Sequence, residues 1–300
     1  MDRTQYKCCR RGANLRRRRR RHRKIRHSVI FSCSIIAVAV FVIVGSRIIT
    51  SGDGGTNKYD VEARNNTYDN ADIENTKISE KNKIQNNQSM LDDIMNSTQY
   101  PKQLQELALK NEEALEFVYD YPTEHVKEHI VDLTEEASMD SVPLFVQWDK
   151  RWGYEKYSGN FFAASGCGPT TLSMVVVYLT HNRDASPLAV AKYSKEAGYS
   201  VDGSGSSWTL ISEGCRHYGV KAKTVSLDES RMKAELDAGH PIVINVGPGD
   251  FTDTGHFMVI TGYDDEGFSI NDPNSIEKSG KRWLFKNISS QIRAVWSMYV

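Results

Sequence analysis

One stretch of the chain is uncharged and almost wholly apolar: Ser28 to Ser46, with Val29, Ile30, Phe31 and then Ile35 to Val44 nearly unbroken. As a helix its 19 residues would span roughly 28 Å, close to a bilayer hydrocarbon core of about 30 Å. The pattern then reverses. Residues 47–99 are poor in large apolar side chains and rich in Asn, Asp, Lys, Ser and Gly, which predicts a disordered polar spacer. From Pro101 a broken helical stripe follows, through Leu104, Leu107, Ala108, Ala114, Leu115 and Val118, so 100–141 is expected to be a helical segment ahead of a domain.

Residues 142–300 alternate like a folded domain. Val142 to Val146 predicts a short strand, and the run to Thr180 behind Cys167 predicts a buried helix. Ser186-Pro187 opens another helix, closed by Gly198. Ser207 to Tyr218 predicts a third, ended by Gly219, and Ser226 with Glu229 a capping box before a fourth, ended by Gly239. Strands follow at Pro241–Val246, Phe257–Tyr263, Phe268–Ile270 and Arg293–Tyr299, with Asp264 to Gly267 as a turn. Helices first and an antiparallel sheet after them predict an α+β domain.

Charge sharpens the N-terminal picture. The net charge of zero hides +13 in residues 1–50 and −13 in the remainder. The basic block Arg16 to Arg26 lies immediately before the apolar run, which holds that end in the cytoplasm and sends the rest outside. A cleaved signal peptide usually has an apolar region of about 7–15 residues ending in small residues. This run is longer and ends Val44-Gly45-Ser46-Arg47. The expected organisation is a basic cytoplasmic tail (1–27), a single-pass membrane anchor (28–46), the spacer (47–99), the helical segment (100–141) and an extracellular domain (142–300).

Of five cysteines, Cys8 and Cys9 fall in the tail and Cys33 in the apolar run, leaving Cys167 and Cys215 outside. These two could form a bridge, although Trp208, Ile211, Cys215 and Tyr218 recur at helical spacing and place Cys215 on an inner helix face. Cys167, in Ser165-Gly166-Cys167-Gly168-Pro169-Thr170, sits where a helix begins. Unpaired backbone N–H groups there favour a thiolate, and flanking glycines let a substrate approach. His256, at a strand entry, is the candidate base. Asp272, 16 residues on, would return beside it across a hairpin and orient the ring. Gln147 can donate an amide N–H to a developing oxyanion, together with the Cys167 backbone N–H.

Val142 to Tyr154, Ser165 to Thr170, Thr254-Gly255-His256-Phe257 and Asn271-Asp272-Pro273 together resemble the papain-like cysteine peptidases related to the bacteriocin double-glycine leader peptidases, the peptidase C39-like family. The likeness covers about residues 142–300, and Tyr100-Pro101-Lys102 with Tyr121-Pro122 is similar to the upstream segment of exported members. It implies a papain-like fold, N-terminal helices on an antiparallel sheet. By the same likeness Cys167 is the nucleophile, His256 the base, Asp272 the orienting residue and Gln147 the oxyanion donor. The implied activity is thiol-dependent hydrolysis of peptide bonds in exported proteins or peptides, without a cofactor. No ATPase or multi-span region follows, so a leader-peptide substrate does not carry over from the transporter-linked members. Transfer of the acyl group to an amine, hydrolysis of cell-wall peptides, and a catalytically silent binding module at the cell surface are the alternatives.

His125-Val126-Lys127-Glu128-His129 matches an inverted zinc-peptidase pattern, but the segment is polar and offers no third ligand. No metal is expected. The expected partners are a peptide or protein substrate, with cell-wall peptide second, and the membrane through 28–46. Nucleic acid is not among them, and the acidic exterior part disfavours anionic polymers.

Overall fold

The structure, a computed structural model, describes residues 70–300, with side chains from residue 79 onward. The basic tail, the apolar run and the first part of the spacer lie outside the described residues. Among those described, no helix is long and apolar enough to cross a membrane.

A six-stranded antiparallel sheet forms the centre. Its strands are β1 (Lys221–Thr224), β2 (Ile242–Val246), β3 (His256–Asp264), β4 (Gly267–Asn271), β5 (Arg282–Trp283) and β6 (Ile292–Tyr299), in the spatial order β1-β6-β2-β3-β4-β5. β2 is buried along its whole length because both faces of the sheet are covered. Val243, Phe257, Val259, Trp296 and Met298 join a core with the helices ahead of the sheet in sequence. Ile244, Val246, Met258, Ile260 and Ile270 pack on the opposite side with Met232 and Ile288. The period-two alternation of β2 and β3 thus serves two separate cores.

The longest helices ahead of the domain are α1 (Asn70–Asn96), α2 (Lys102–Lys110) and α3 (Leu115–Tyr119), followed by the single turns Tyr121–Glu124 and Thr134–Ala137. Residues 70–96 therefore depart from the expected irregular spacer. Their polar composition hides a short contact face, where Met90, Leu91 and fully buried Ile94 meet Leu104, Leu107, Leu115 and Val118. The helical stripe expected from Pro101 to Val118 is interrupted at Asn111, whose extended backbone ends α2. α4 (Cys167–Thr180) lies against the sheet, tied to it where the Thr171 hydroxyl donates to Phe257 O at 3.0 Å. α5 (Pro187–Glu196) is capped by Ser186, and α6 (Glu229–Asp237) covers the far face.

Several local expectations fail for identifiable reasons. Val142–Val146 is not a strand. Pro143 has no donor for a ladder, and the Asn271 side-chain amide instead takes Val142 O and Pro143 O, both at 3.1 Å. The α6 cap is Asp228, which accepts from Arg231 N, not Ser226. Residues 207–218 break into a helical turn, Thr209–Ser212, and a 3-10 turn, Gly214–Tyr218. The strand β1 was not foreseen, since Lys-Ala-Lys-Thr carries no apolar alternation; it pairs with β6 at the sheet edge.

Candidate active site

Cys167 is the first residue of α4, and the turn beneath it is shaped by packing. Gly166 crosses so close to Phe162 that an added Cβ would stand 2.5 Å from the ring, and one at Gly168 would stand 2.5 Å from the Ser206 hydroxyl. The cysteine is thereby held at a helix start while its side of the turn stays open. The residue is partly exposed and unbridged. Cys215 is also free, fully buried in the core, and burial pushes its thiol up to about 11. The bridge between these two cysteines does not form.

His256 opens β3 and is buried, with Asn245 Nδ2 donating to its backbone carbonyl at 3.2 Å. The β3–β4 hairpin turns at Gly267, where φ is +134° and a Cβ would meet Trp283 O at 2.6 Å, so glycine is required. The register Val259↔Asn271 returns the chain beside the start of β3. Asp272, with no exposed surface, then reaches His256, and the ring Nε2 lies 2.6 Å from Asp272 Oδ1. The other ring nitrogen is not engaged by Asp272, and His256 and Cys167 line the same cavity.

The electrostatics of the pair are coupled. Burial alone would raise the Cys167 thiol, but the hydrogen bond and charge of His256, helped by the Phe257 and Gly168 backbone amides, outweigh it and hold the thiol below its ordinary value. Burial would likewise depress His256, yet the Asp272 carboxylate, then Cys167, raise it above the usual imidazole range. Both shifts favour a thiolate facing an imidazolium.

Gln147 is buried beside them. Its backbone N–H donates to Pro273 O at 2.7 Å, and its Nε2 donates to Ala163 O at 2.7 Å, with Asn274 Oδ1 at a longer 3.4 Å. Among the described residues, two buried side-chain atoms lack a hydrogen-bond partner, Gln147 Oε1 and Asp272 Oδ2. Both belong to this site, where unsatisfied polarity is expected to serve a ligand or a reaction.

Cys167 lines two adjoining cavities. One, about 700 Å³, is bounded by Gly203–Ser206, Trp208, Gly247 and Arg293. The other, about 460 Å³, is bounded by Gln147, His256, Asn274, the loop Gly249–Gly255, and Leu107 and Lys110 from α2. A larger hollow of about 990 Å³, lined mainly from α1 and α3, contains neither cysteine nor histidine.

The other described histidines are engaged elsewhere. His125 stacks on Tyr121 and His129 contacts Glu124 O at 3.1 Å, so the two do not share a helix face as a zinc pair would. His181 meets Ala137 O, His217 stacks on Tyr193, and His240 pairs with Glu235. No group of three or more His, Cys, Asp or Glu side chains among the described residues is placed to hold a metal ion.

Three residues beside the site are not among the candidates read from the sequence. Asn274 takes Trp148 Nε1 on its carbonyl at 3.2 Å, and Asn111 and Glu113 reach the same turn from the upstream segment. Only the turn-forming sequence Asp272-Pro273-Asn274-Ser275 hinted at Asn274. Nothing local marks the other two.

Residues 139–300 match the Peptidase_C39 like family. Two solved structures are similar. One is the peptidase domain of Streptococcus ComA, described as a bi-functional ABC transporter involved in a quorum sensing pathway. It is 19% identical, covers 53% of this chain and 96% of that one, and has a TM-score of 0.39. The other is described as a C39-like peptidase from Bacillus anthracis, 17% identical over 53% of this chain and 95% of that one, with a TM-score of 0.33. No curated protein matches the sequence.

Proposed function

The chain belongs to the Peptidase_C39 like family, and from that membership we propose that it is a cysteine peptidase acting through Cys167 on exported proteins or peptides. The observation that carries this is the buried His256 ring, held by Asp272 at 2.6 Å in the wall of a cavity that Cys167 also lines.

In the proposed reaction the Cys167 thiolate attacks the peptide carbonyl carbon, and the carbonyl π pair moves onto oxygen. The Cys167 backbone N–H and one Gln147 Nε2 hydrogen stabilise that oxyanion. Collapse breaks the C–N bond as the His256 imidazolium gives its proton to the leaving amine. Water, deprotonated by His256, then attacks the thioester and returns Cys167 and a free carboxylate. Asp272 keeps the ring in one orientation and stabilises its cation through both steps. No metal or organic cofactor is required by this chemistry.

We further propose that the basic tail (1–27) lies in the cytoplasm, that 28–46 spans the membrane, and that the peptidase domain (142–300) stands outside. The +13 charge of residues 1–50 and the uncharged run support this orientation. One experiment tests location and chemistry together. A membrane-impermeant, thiol-directed peptide electrophile is added to intact cells making the full chain, and labelled peptides are mapped by mass spectrometry. Cys167 should be labelled, with Cys8, Cys9 and Cys215 untouched. Labelling of Cys167 only after lysis would reverse the orientation and leave the chemistry standing. Absence of labelling even after lysis would remove the catalytic proposal.

A further inference from the structure

Taking that thiol chemistry as given, we infer that Asn111 and Glu113, upstream of the family-matched residues, are positioning residues: they clamp the turn that carries Asp272, so the active site is complete only with the α2–α3 segment docked.

The clamp has two jaws. Asn111 terminates α2, and its side chain is fully used: Oδ1 accepts from Glu113 N at 3.0 Å, while Nδ2 donates to Asn274 O at 2.9 Å and Asn274 Oδ1 at 3.2 Å. Glu113 takes the Ser275 hydroxyl on one carboxylate oxygen. The other oxygen accepts the backbone N–H groups of Ile276 at 2.7 Å and Glu277 at 3.0 Å. Those amides open the single-turn helix Ile276–Ser279 and have no partner within it. A carboxylate from 163 residues away satisfies them with charge-assisted bonds, stronger than neutral ones.

The gripped residues are one step from the chemistry. Asn274 N donates to Asp272 Oδ1 at 2.8 Å, the same oxygen that meets His256 Nε2. Gln147 approaches the turn through Pro273 O and, more loosely, through Asn274 Oδ1. One hydrogen-bonded path therefore runs from Asn111 through Asn274 to Asp272 and His256, and a second from Glu113 through Ser275, whose backbone N–H donates to Asp272 O at 3.2 Å. Such fixed supporting contacts hold catalytic groups within fractions of an ångström. Leu107 and Lys110 of α2 also wall the cavity that contains Cys167 and His256, so the segment borders the substrate as well as the turn.

The test is the pH dependence of Cys167 alkylation by iodoacetamide in the full chain, followed on the Cys167 peptide. The groups that face His256 are Cys167 from α4 and Asp272 after β4. Around the same cavity stand Glu106, Lys110, Asp250, Asp253 and Lys278. In the wild type the rate near pH 6 should approach that near pH 9.5, because the imidazolium holds the thiolate. In Asn111→Ala and Glu113→Ala the slackened Asp272 should lower the ratio of these two rates by about twofold or more, with tenfold the upper limit for about one pKa unit of lost coupling. Glu113→Gln, which keeps shape and loses charge, should fall between. Glu116→Gln, exposed on α3, should match wild type. A merely structural role would lower the melting temperature and leave the ratio unchanged, and that result in folded variants overturns the clamp alone. If the alanine variants do not fold, the Glu113→Gln ratio decides. A wild-type chain that alkylates like a free thiol would instead sink the thiol chemistry, and the clamp with it.

Discussion

Peptide hydrolysis should fall by about 10²–10⁴-fold when His256 is replaced by alanine, the usual contribution of a positioned acid–base group. Two functions are lost in one change. The ring ceases to donate to the leaving amine, and the Cys167 thiol loses the partner that holds its pKa down. Burial is then opposed only by the Phe257 and Gly168 backbone amides, and the thiol rises. The pH profile carries the same information. Activity should appear as pH rises past the lowered Cys167 value and disappear as pH rises past the elevated His256 value. Asp272→Asn removes the negative charge that elevates the imidazole, so its upper limb should move to lower pH. An unshifted upper limb would mean that Asp272 does not set the ring's protonation.

Replacing Phe162 by alanine should destabilise the domain by about 3–5 kcal/mol, the range for a fully buried aromatic ring. Phe162 has no exposed surface and packs beside Tyr157, with ring centroids 6.0 Å apart. It also supports the nucleophile's turn, since Gly166 crosses directly over the ring and Gly166 N donates to Phe162 O at 2.7 Å. Against a total stability of about 5–15 kcal/mol, such a loss should be plain as a lower denaturation midpoint. A shift worth less than about 1 kcal/mol would show that the turn does not depend on this packing.

The parts of the fold readable in advance are those where local pattern and tertiary demand agree. The helix behind Cys167 is a run of apolar residues buried on all sides, and the β3–β4 hairpin has both alternation and a glycine where φ must be positive. From the second of these the pairing of His256 with Asp272 could be anticipated. Val142–Val146 misled because an apolar run without donors at Pro143 finds its partners in the Asn271 side chain instead of a neighbouring strand. α1 was missed because its buried face is only a few residues wide on an otherwise polar helix. No local pattern signals that Gln147 Nε2 spends one of its hydrogens on Ala163 O, because that partner lies 16 residues on. Asn111 and Glu113 could not be found at all from local pattern, because their partners lie more than 160 residues away.

The central claim is that Cys167 breaks peptide bonds, and a peptide library tests it most directly. The full chain is incubated with mixed peptides, and newly formed amino termini are counted by mass spectrometry beside a Cys167→Ala control. The account predicts new termini at a restricted set of sequences with the wild type and none above blank with the variant. Equal numbers from both proteins, or none from either while Cys167 remains a reactive thiolate, would contradict it.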